Sequence, residues 1–129
     1  MDGFLCINKP AGMSSNDVVM NVRRFTGEKH IGHTGTLDPN ACGLLTVAVG
    51  KAARLIEYMD DHPKLYRCEA VLGLSTDTHD VWRTPVCDLR GRFSMPSEAQ
   101  LEEAMDQLTG QIVQIPSKYS ALKVGGRPM

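Results

Sequence analysis

The sequence predicts an α+β domain, a mixed β-sheet flanked by helices, because strand-like and helix-like segments alternate without a regular strand-helix-strand repeat. The chain has 129 residues, enough for one small domain or for part of a larger one. Hydrophobic residues make up 42% of the chain and charged residues 22%, which is ordinary for a folded globular protein. This composition excludes a disordered chain and a collagen-like repeat.

The first predicted elements are a strand and a helix. Gly3 to Asn8 reads as a short buried strand, and the proline and glycine that follow it prevent its continuation. Ser14 or Ser15 can then cap a helix that Gly27 ends. Spacings of one, four and seven residues predict that one face of this helix is apolar. That face consists of Val18, Val19, Val22 and Phe25.

A glycine-rich loop comes next, followed by a strand, a helix and another strand. Leu44 to Val49 is a continuous apolar run, which is typical of a buried strand. Lys51 to Met59 reads as a short helix. The partial alternation of apolar and polar residues from Lys64 to Leu74 predicts a half-buried strand, which should end within Gly73 to Asp77.

The last third of the chain predicts a strand, a helix and a further strand. Val81 to Leu89 reads as a strand. Ser97 and Gln100 have the spacing of a capping box, which opens a helix. The apolar face of that helix consists of Leu101, Ala104, Met105 and Leu108. Gln111 to Ile115 reads as a short strand, and Pro116 should break it.

The charge balance bears on contact with nucleic acid. A net charge of −1 and an isoelectric point near 6.4 give no long-range field that would attract RNA. Any such contact must come from a local basic surface, although a solvated face would give the same pattern. The candidates flank the glycine-rich loop: Arg23, Arg24, Lys29 and His30 precede it, and Lys51, Arg54, Lys64 and Arg67 follow it.

The cysteines and apolar runs bear on redox chemistry and location. None of the four cysteines forms a Cys-x-x-Cys pair, so we expect reduced thiols in the core or in loops. His30 and His33 lack the helical register and third ligand of the known zinc signatures, so we expect no metal site. No apolar run could span a membrane and no signal peptide begins the chain, so we expect a cytoplasmic protein.

The segment Gly32 to Pro39, GHTGTLDP, is the most informative part of the chain. It places one carboxylate, Asp38, on a glycine-rich loop beside a histidine and two threonines. Glycine lets the backbone approach a ligand closely, and Pro39 stiffens the turn after the acid. A carboxylate held in this way can act as a nucleophile or a base. The alternative for such a segment is a tight structural turn.

Five motifs occur in order along nearly the whole chain. They are KPAGMSS at 9–15, GHTGTLDPNACG at 32–43, KLYR at 64–67, GLSTDTHD at 73–80 and IPSKYSALK at 115–123. In these motifs the chain resembles the TruB-type tRNA pseudouridine synthases. The resemblance implies the pseudouridine synthase fold.

The resemblance also implies an isomerase. The family converts the T-loop uridine (U55) of tRNA to pseudouridine by breaking the glycosidic bond and rejoining the base through carbon. The target nucleotide is flipped out of its stack into the active site. No metal or organic cofactor takes part. The implied partner is the T-arm of tRNA, with no membrane, no metal and no known protein partner.

The resemblance assigns roles to individual residues. Asp38 matches the essential catalytic aspartate, and Tyr66 matches a tyrosine that packs on the flipped base and serves as a late general base. His33 matches a histidine that contacts the tRNA loop near the extruded nucleotide. Asp80 matches an acid that helps to order an arginine beside the catalytic aspartate. The other substrate-binding candidates are Gly32, Thr34, Gly35, Thr36, Lys64 and Arg67.

The sequence leaves three roles open for Asp38, namely attack on the base, attack on the sugar, and removal of a sugar proton. Lys9 and Pro10 resemble a structural motif packed behind the active-site loop. The family's catalytic domain and its C-terminal RNA-binding domain continue further, so we expect residues 1–129 to be the N-terminal portion of the catalytic domain. The arginine that pairs with Asp38 is then absent, and we expect activity to need the rest of the domain. The alternative function is a noncatalytic tRNA-binding or RNA-folding module that uses the same cleft.

Overall fold

The computed structural model describes residues 1–59, 63–115, 119, 123–124 and 127–128. The chain divides into two compact units, Met1–Arg67 and Cys68–Met129. Most of the motif at 115–123, including the predicted break at Pro116, lies outside the described residues. Within the described ranges, no helix combines the length and the apolar character that crossing a membrane requires.

The first unit is built on a three-stranded antiparallel sheet. Strand β1 (Gly3–Lys9) pairs along its whole length with β3 (Gly43–Val49). Strand β2 (Ile31–His33) pairs with the other edge of β3, which gives the order β1-β3-β2. The central position of β3 gives it a hydrogen-bonded partner at both edges, and its residues Leu45 and Val47 to Val49 are buried. The predicted strands at 3–8 and 44–49 are confirmed as strands, but the burial predicted for residues 3–8 is wrong, because none of them is buried. Strand β2 was not predicted.

Helix α1 (Ser15–Thr26) packs on one face of this sheet. Its cap is Ser14, whose hydroxyl accepts a hydrogen bond from the amide of Asp17 while the Asp17 carboxylate accepts one from the amide of Ser14. Gly27 ends the helix in the left-handed conformation, with a φ of 70°. The core between helix and sheet consists of Val18, Val22, Leu45, Val47 and Val49.

Phe25 corrects the predicted apolar face of α1. It falls at the right spacing, but 94% of the residue is exposed. Helical spacing determines which residues share a face, whereas the extent of the surface packed against that face is a tertiary property. The buried part of the face is therefore limited to the three valines, Val18, Val19 and Val22.

A 3₁₀ helix (Gly50–Tyr58) forms where a short helix was predicted. Ala48 alternates in direction with Val47 and Val49, yet it is 0% exposed, so β3 is buried on both faces at this end. Gly32 lies opposite Ala48 in the sheet, and a Cβ atom at Gly32 would lie 2.7 Å from Cδ1 of Ile56. The glycine therefore allows the 3₁₀ helix to approach the sheet closely.

The described part of the second unit contains two small antiparallel sheets and one helix. Strand β4 (Leu74–Thr76) pairs with β5 (Pro85–Asp88). Helix α2 (Glu98–Asp106) follows. Strand β6 (Lys123–Val124) pairs with β7 (Arg127–Pro128).

Three predicted strands in this part of the chain are corrected. Residues 63–71 form neither helix nor strand, so the strand predicted from Lys64 to Leu74 is wrong. The strand predicted from Val81 to Leu89 is limited to β5, and Gln111 to Ile115 forms no strand. A strand needs a neighbour for its backbone hydrogen bonds, and an alternating or apolar sequence does not supply one.

The helix predicted after Ser97 is confirmed, together with its capping box to Gln100. Its apolar face is not buried, since Leu101 is 37% exposed and Leu108 is 71% exposed. Among residues 68–115 and Tyr119, only Thr76 is buried.

The predicted α+β class is confirmed. The strand pairings in the described residues are all antiparallel, rather than a mixture of parallel and antiparallel. The cysteines are free thiols as predicted, and all four are exposed, so of the two environments expected for them the core is excluded.

Candidate functional site

The loop that carries Asp38 connects β2 to β3. Its first residue, Thr34, donates a backbone hydrogen bond of 3.0 Å to the carbonyl of Thr46. A turn follows Asp38, whose carbonyl accepts a 3.1 Å hydrogen bond from the amide of Ala41. The Asp38 residue is exposed, and within the described ranges no side chain forms a hydrogen bond or ion pair with its carboxylate. The acid is therefore open to a molecule that approaches from solvent.

Lys9 holds the backbone just after Asp38. Its side chain is 0% exposed, and Nζ donates hydrogen bonds to the carbonyls of Met13 at 2.6 Å, Pro10 at 3.0 Å and Pro39 at 3.2 Å. An ammonium group has three donor hydrogens, so this arrangement satisfies all of them. The amide of Gly12 also donates to the Pro39 carbonyl, at 2.8 Å. Lys9 thus lies behind the loop, as the sequence indicated.

Ser15 holds the backbone just before Asp38. Its Oγ accepts a hydrogen bond of 2.9 Å from the amide of Leu37 and donates one of 3.2 Å to the carbonyl of the same residue. Ser15 is only 3% exposed, and the Leu37 side chain packs against the core. The sequence raised Ser15 only as a possible helix cap. Ser15 directly follows Ser14, which caps the helix. The presence of two adjacent serines where one cap suffices was the available signal that Ser15 has another role.

Lys9 and Ser15, which hold the backbone on the two sides of Asp38, determine what the site can do chemically. The residues on either side of Asp38 are tied to the body of the unit, while its carboxylate faces outward. Positioning a reactive group in advance lowers the entropic cost of reaction, and a displacement of about 1 Å can cost roughly 10²-fold in rate. A carboxylate in this setting is suited to nucleophilic or general base chemistry.

His33 and Gly32 belong to β2 rather than to the loop, which corrects the sequence analysis. His33 lies opposite Val47, five residues before Asp38, and is half-buried. Its Nδ1 atom is buried and has no hydrogen-bond partner among the described residues. The pairing of β2 with β3 fixes the backbone of His33 directly ahead of the Asp38 loop.

The middle of the loop is formed by Thr34, Gly35 and Thr36. Thr34 and Gly35 are half-buried, and Thr36 is exposed. A Cβ atom at Gly35 would meet no atom within 4 Å, so neighbouring atoms do not require glycine there. At the end of the loop, Gly43 has a φ of 130°, which other residues rarely adopt.

Lys64, Tyr66 and Arg67 lie in the segment without regular structure. All three are exposed, and Tyr66 is 68% exposed. Among the described residues, no hydrogen bond joins Tyr66 to Asp38. The structure therefore places these three side chains in solvent and does not bring Tyr66 into contact with the acid.

Asp80 belongs to the second unit and lies in a turn after β4. Its Oδ1 accepts a 3.1 Å hydrogen bond from the amide of Trp82, and its carbonyl accepts one of 3.1 Å from the Thr76 hydroxyl. His79 beside it has a φ of 63°, and the Tyr119 hydroxyl donates to Asp77 Oδ2 at 3.3 Å. These hydrogen bonds are those of an aspartate that stabilises a turn.

The basic candidates of the first unit lie mostly at its surface. Arg24, Lys29 and His30 are exposed, whereas Arg23 is half-buried. Glu28 lies among them, and hydrogen bonds from the amides of His30 and Lys29 lower the pKa of its carboxyl group. Nδ1 of His30 lies 3.6 Å from Oε1 of Glu28. In the described ranges, no three His, Cys, Asp or Glu side chains come together as metal ligands would.

Comparison with known proteins identifies the family. Residues 23–129 match the model of the TruB family pseudouridylate synthase, N-terminal domain. The tRNA pseudouridine synthase B of Streptococcus sanguinis is 46% identical over 134 residues, which cover 100% of this chain and 44% of the relative. The enzyme of the same name from Geobacillus kaustophilus is 44% identical over 100% of this chain and 45% of the relative. The Bacillus licheniformis enzyme is 40% identical over 99% of this chain and 41% of the relative.

These matches extend over the fold and the loop described above, and they confirm the resemblance stated from the sequence motifs. The chain spans less than half the length of the curated relatives it matches. Because the family model covers most of the chain, including Asp38 and its loop, the protein belongs to the TruB family of pseudouridylate synthases, whose N-terminal domain it matches.

Proposed function

We propose that the protein isomerises the T-loop uridine (U55) of tRNA to pseudouridine, and that this chain supplies the catalytic aspartate, Asp38. The observation that carries the proposal is an outward-facing carboxylate on a loop whose backbone is tied down on both sides. The names of the relatives, which are called tRNA pseudouridine synthase B, support tRNA as the substrate.

The reaction exchanges one bond to the sugar for another. The bond between C1′ and N1 of the uridine breaks, the base turns, and C1′ joins C5. A proton then leaves C5, and N1, which has lost its bond to the sugar, takes up a proton. Whether Asp38 attacks the base, attacks the sugar or removes a sugar proton, the carboxylate must reach a nucleotide that has been flipped out of the RNA stack. The exposure of Asp38 meets this requirement.

The other site residues take supporting roles in this proposal. Tyr66 stacks on the flipped base and accepts the proton that leaves C5. His33 contacts the tRNA loop from its position on β2, directly before the loop formed by Thr34, Gly35 and Thr36. The exposed side chains of Lys64 and Arg67 pair with phosphates of the T-arm. Gly32 permits the packing that supports His33.

The proposal includes a larger catalytic domain. Residues 1–129 are the N-terminal portion of a catalytic domain with the pseudouridine synthase fold, and a later strand supplies an arginine that pairs with Asp38 and is ordered by Asp80. The shares of 41–45% that the chain covers in its relatives support this division. The reaction needs no cofactor, and it takes place in the cytoplasm, where tRNA is found.

The test uses the complete polypeptide that contains this sequence, at its native length. A tRNA transcript labelled with tritium at C5 of uridine releases tritium when C5 is joined to the sugar, and this release measures turnover. We expect Asp38→Asn to lower turnover at least roughly a thousandfold while the dissociation constant for tRNA changes little. A transcript with cytidine in place of U55 should release no tritium.

The matched control is Asp106→Asn, which makes the same change at the exposed end of α2. It should leave turnover unchanged. If Asp38→Asn still forms product at the wild-type rate, the assignment of Asp38 is wrong. If the wild-type protein binds tRNA and never releases tritium, the protein is a noncatalytic tRNA-binding module instead.

A further inference from the structure

We infer that Ser15 is a positioning residue for the reaction, acting on Asp38 through the backbone of Leu37. The inference rests on the proposed function, because it concerns the catalytic geometry of Asp38. Ser15 touches neither the carboxylate nor any group that would react. It holds the peptide unit from which Asp38 projects.

The first support is the geometry of the contact. The Ser15 hydroxyl accepts from the Leu37 amide at 2.9 Å and donates to the Leu37 carbonyl at 3.2 Å, so one side chain occupies both backbone groups of a single residue. The two residues are separated by 22 positions in the chain. The contact therefore joins the start of α1 to the catalytic loop.

The second support is that the two adjacent serines form different contacts. Ser14 forms the capping box with Asp17, so the cap of α1 does not need the hydroxyl of Ser15. Ser15 is 3% exposed, which keeps water from competing for its hydrogen bonds. A buried hydroxyl is costly unless it is hydrogen-bonded, and here both of its bonds go to Leu37.

The third support is the pattern of anchors along the loop. Pro39, which follows Asp38, is held by Lys9 and by the amide of Gly12. On the preceding side, the next backbone hydrogen bond before Leu37 is that of Thr34. Without Ser15, the stretch between Thr34 and Asp38 would keep the packing of Leu37 but lose its polar anchor.

The experiment compares three variants in the complete polypeptide. Ser15→Ala removes both hydrogen bonds. Ser14→Ala removes the helix cap and leaves the contact with Leu37 in place, so it is the control for a loss of stability alone. Ser15→Thr keeps a hydroxyl at the same position. The readouts are kcat and KM for tRNA, the thermal unfolding midpoint, and the hydrogen-exchange rate of the Leu37 amide.

We expect Ser15→Ala to lower kcat about ten- to a hundredfold with less than about a threefold change in KM, because binding remains while the acid is misplaced. The Leu37 amide should exchange at least about tenfold faster, as expected for a lost hydrogen bond. Ser14→Ala should lower the unfolding midpoint and keep the wild-type kcat. Ser15→Thr should recover most of kcat.

Two results would overturn the inference about Ser15 and leave the proposed function intact. One is a Ser15→Ala protein with a wild-type kcat beside an inactive Asp38→Asn protein. The other is an equal loss of kcat in Ser14→Ala and Ser15→Ala, which would show that α1 acts through stability alone. A wild-type protein that forms no pseudouridine would overturn the proposed function and, with it, the role given to Ser15. The three outcomes are therefore distinguishable.

Discussion

The Nζ atom of Lys9 lies 3.2 Å from the carbonyl oxygen of Pro39, thirty positions later in the chain, and both of the other Nζ hydrogen bonds go to carbonyls near Lys9 itself. A lysine without exposed surface is unusual, because burying a charge is costly unless hydrogen bonds replace its water. Here the end of β1, the turn after it and the loop of Asp38 are joined through one ammonium group.

Lys9→Met should destabilise the protein strongly. The substitution keeps much of the side-chain length but removes the Lys9 donor from three carbonyls, of which only that of Pro39 keeps another, the amide of Gly12. We expect a loss of roughly 2 to 4 kcal/mol in the free energy of unfolding. Urea denaturation measures the difference from wild type. Lys29→Met, at an exposed position, is the control and should change the free energy by less than about 0.5 kcal/mol. A Lys9→Met protein as stable as the control would contradict the anchoring role.

Gly32→Ala should cost stability, and Gly35→Ala should not. The new Cβ atom at position 32 would lie 2.7 Å from Cδ1 of Ile56, so the side chain must shift, whereas at position 35 the space within 4 Å is empty. We expect a loss of about 1 kcal/mol for Gly32→Ala, and a change within about 0.5 kcal/mol for Gly35→Ala.

Thermal unfolding of both glycine variants gives the comparison. Ile56→Val removes the methyl group that the new Cβ would meet, so the double variant with Gly32→Ala should be less destabilised than the sum of the two single variants. Strict additivity in this cycle would show that Ile56 is not the limiting contact.

The Asp88 carboxyl group should titrate at unusually low pH. Side-chain and backbone hydrogen bonds from Arg90 lower the pKa of Asp88 from 3.8 to about 2. Because the folded-state pKa is the lower one, this group contributes stability above about pH 4 and loses it as the pH falls toward 2. The carboxyl chemical shift of Asp88 in an NMR titration measures the midpoint.

Arg90→Met should return the Asp88 midpoint toward its ordinary value. The lowered pKa of Glu28 is an internal control in the same titration, because it arises from the amides of His30 and Lys29 and not from Arg90. An Asp88 midpoint that stays low without Arg90 would assign the shift to another cause.

Lys64 and Arg67 should contribute to tRNA affinity through phosphate contacts. If each neutralises a phosphate, the double variant Lys64→Ala/Arg67→Ala should reduce the slope of log affinity against log salt by about one to two. Binding titrations at several salt concentrations measure the slope. The charge-retaining variant Lys64→Arg/Arg67→Lys should keep the wild-type slope. An unchanged slope in the alanine variant would place the RNA elsewhere on the surface.

Local signals in the sequence determined the elements that need no distant partner. The spacing of Ser97 and Gln100 is sufficient for a capping box, since both residues lie within one helical turn. Gly27 ends α1 because it can adopt the left-handed conformation without a steric penalty. The loop that contains Asp38 was equally evident, because glycines allow backbone conformations that other residues avoid and Pro39 fixes its own φ.

Tertiary structure decided everything that depends on a partner far along the chain. The alternating segment after Lys64 forms no strand, because none of the described residues pairs with it. Phe25 stays exposed at a helical spacing that otherwise marks buried valines. The choice between Ser14 and Ser15 as the cap was settled by the structure, in which Ser14 forms the capping box with Asp17 and Ser15 hydrogen-bonds to Leu37. A hydrogen bond across 22 positions leaves no periodic trace in the sequence. The sequence therefore singles out Asp38 and, through the family resemblance, Lys9, whereas only the fold shows that Ser15 also holds the loop.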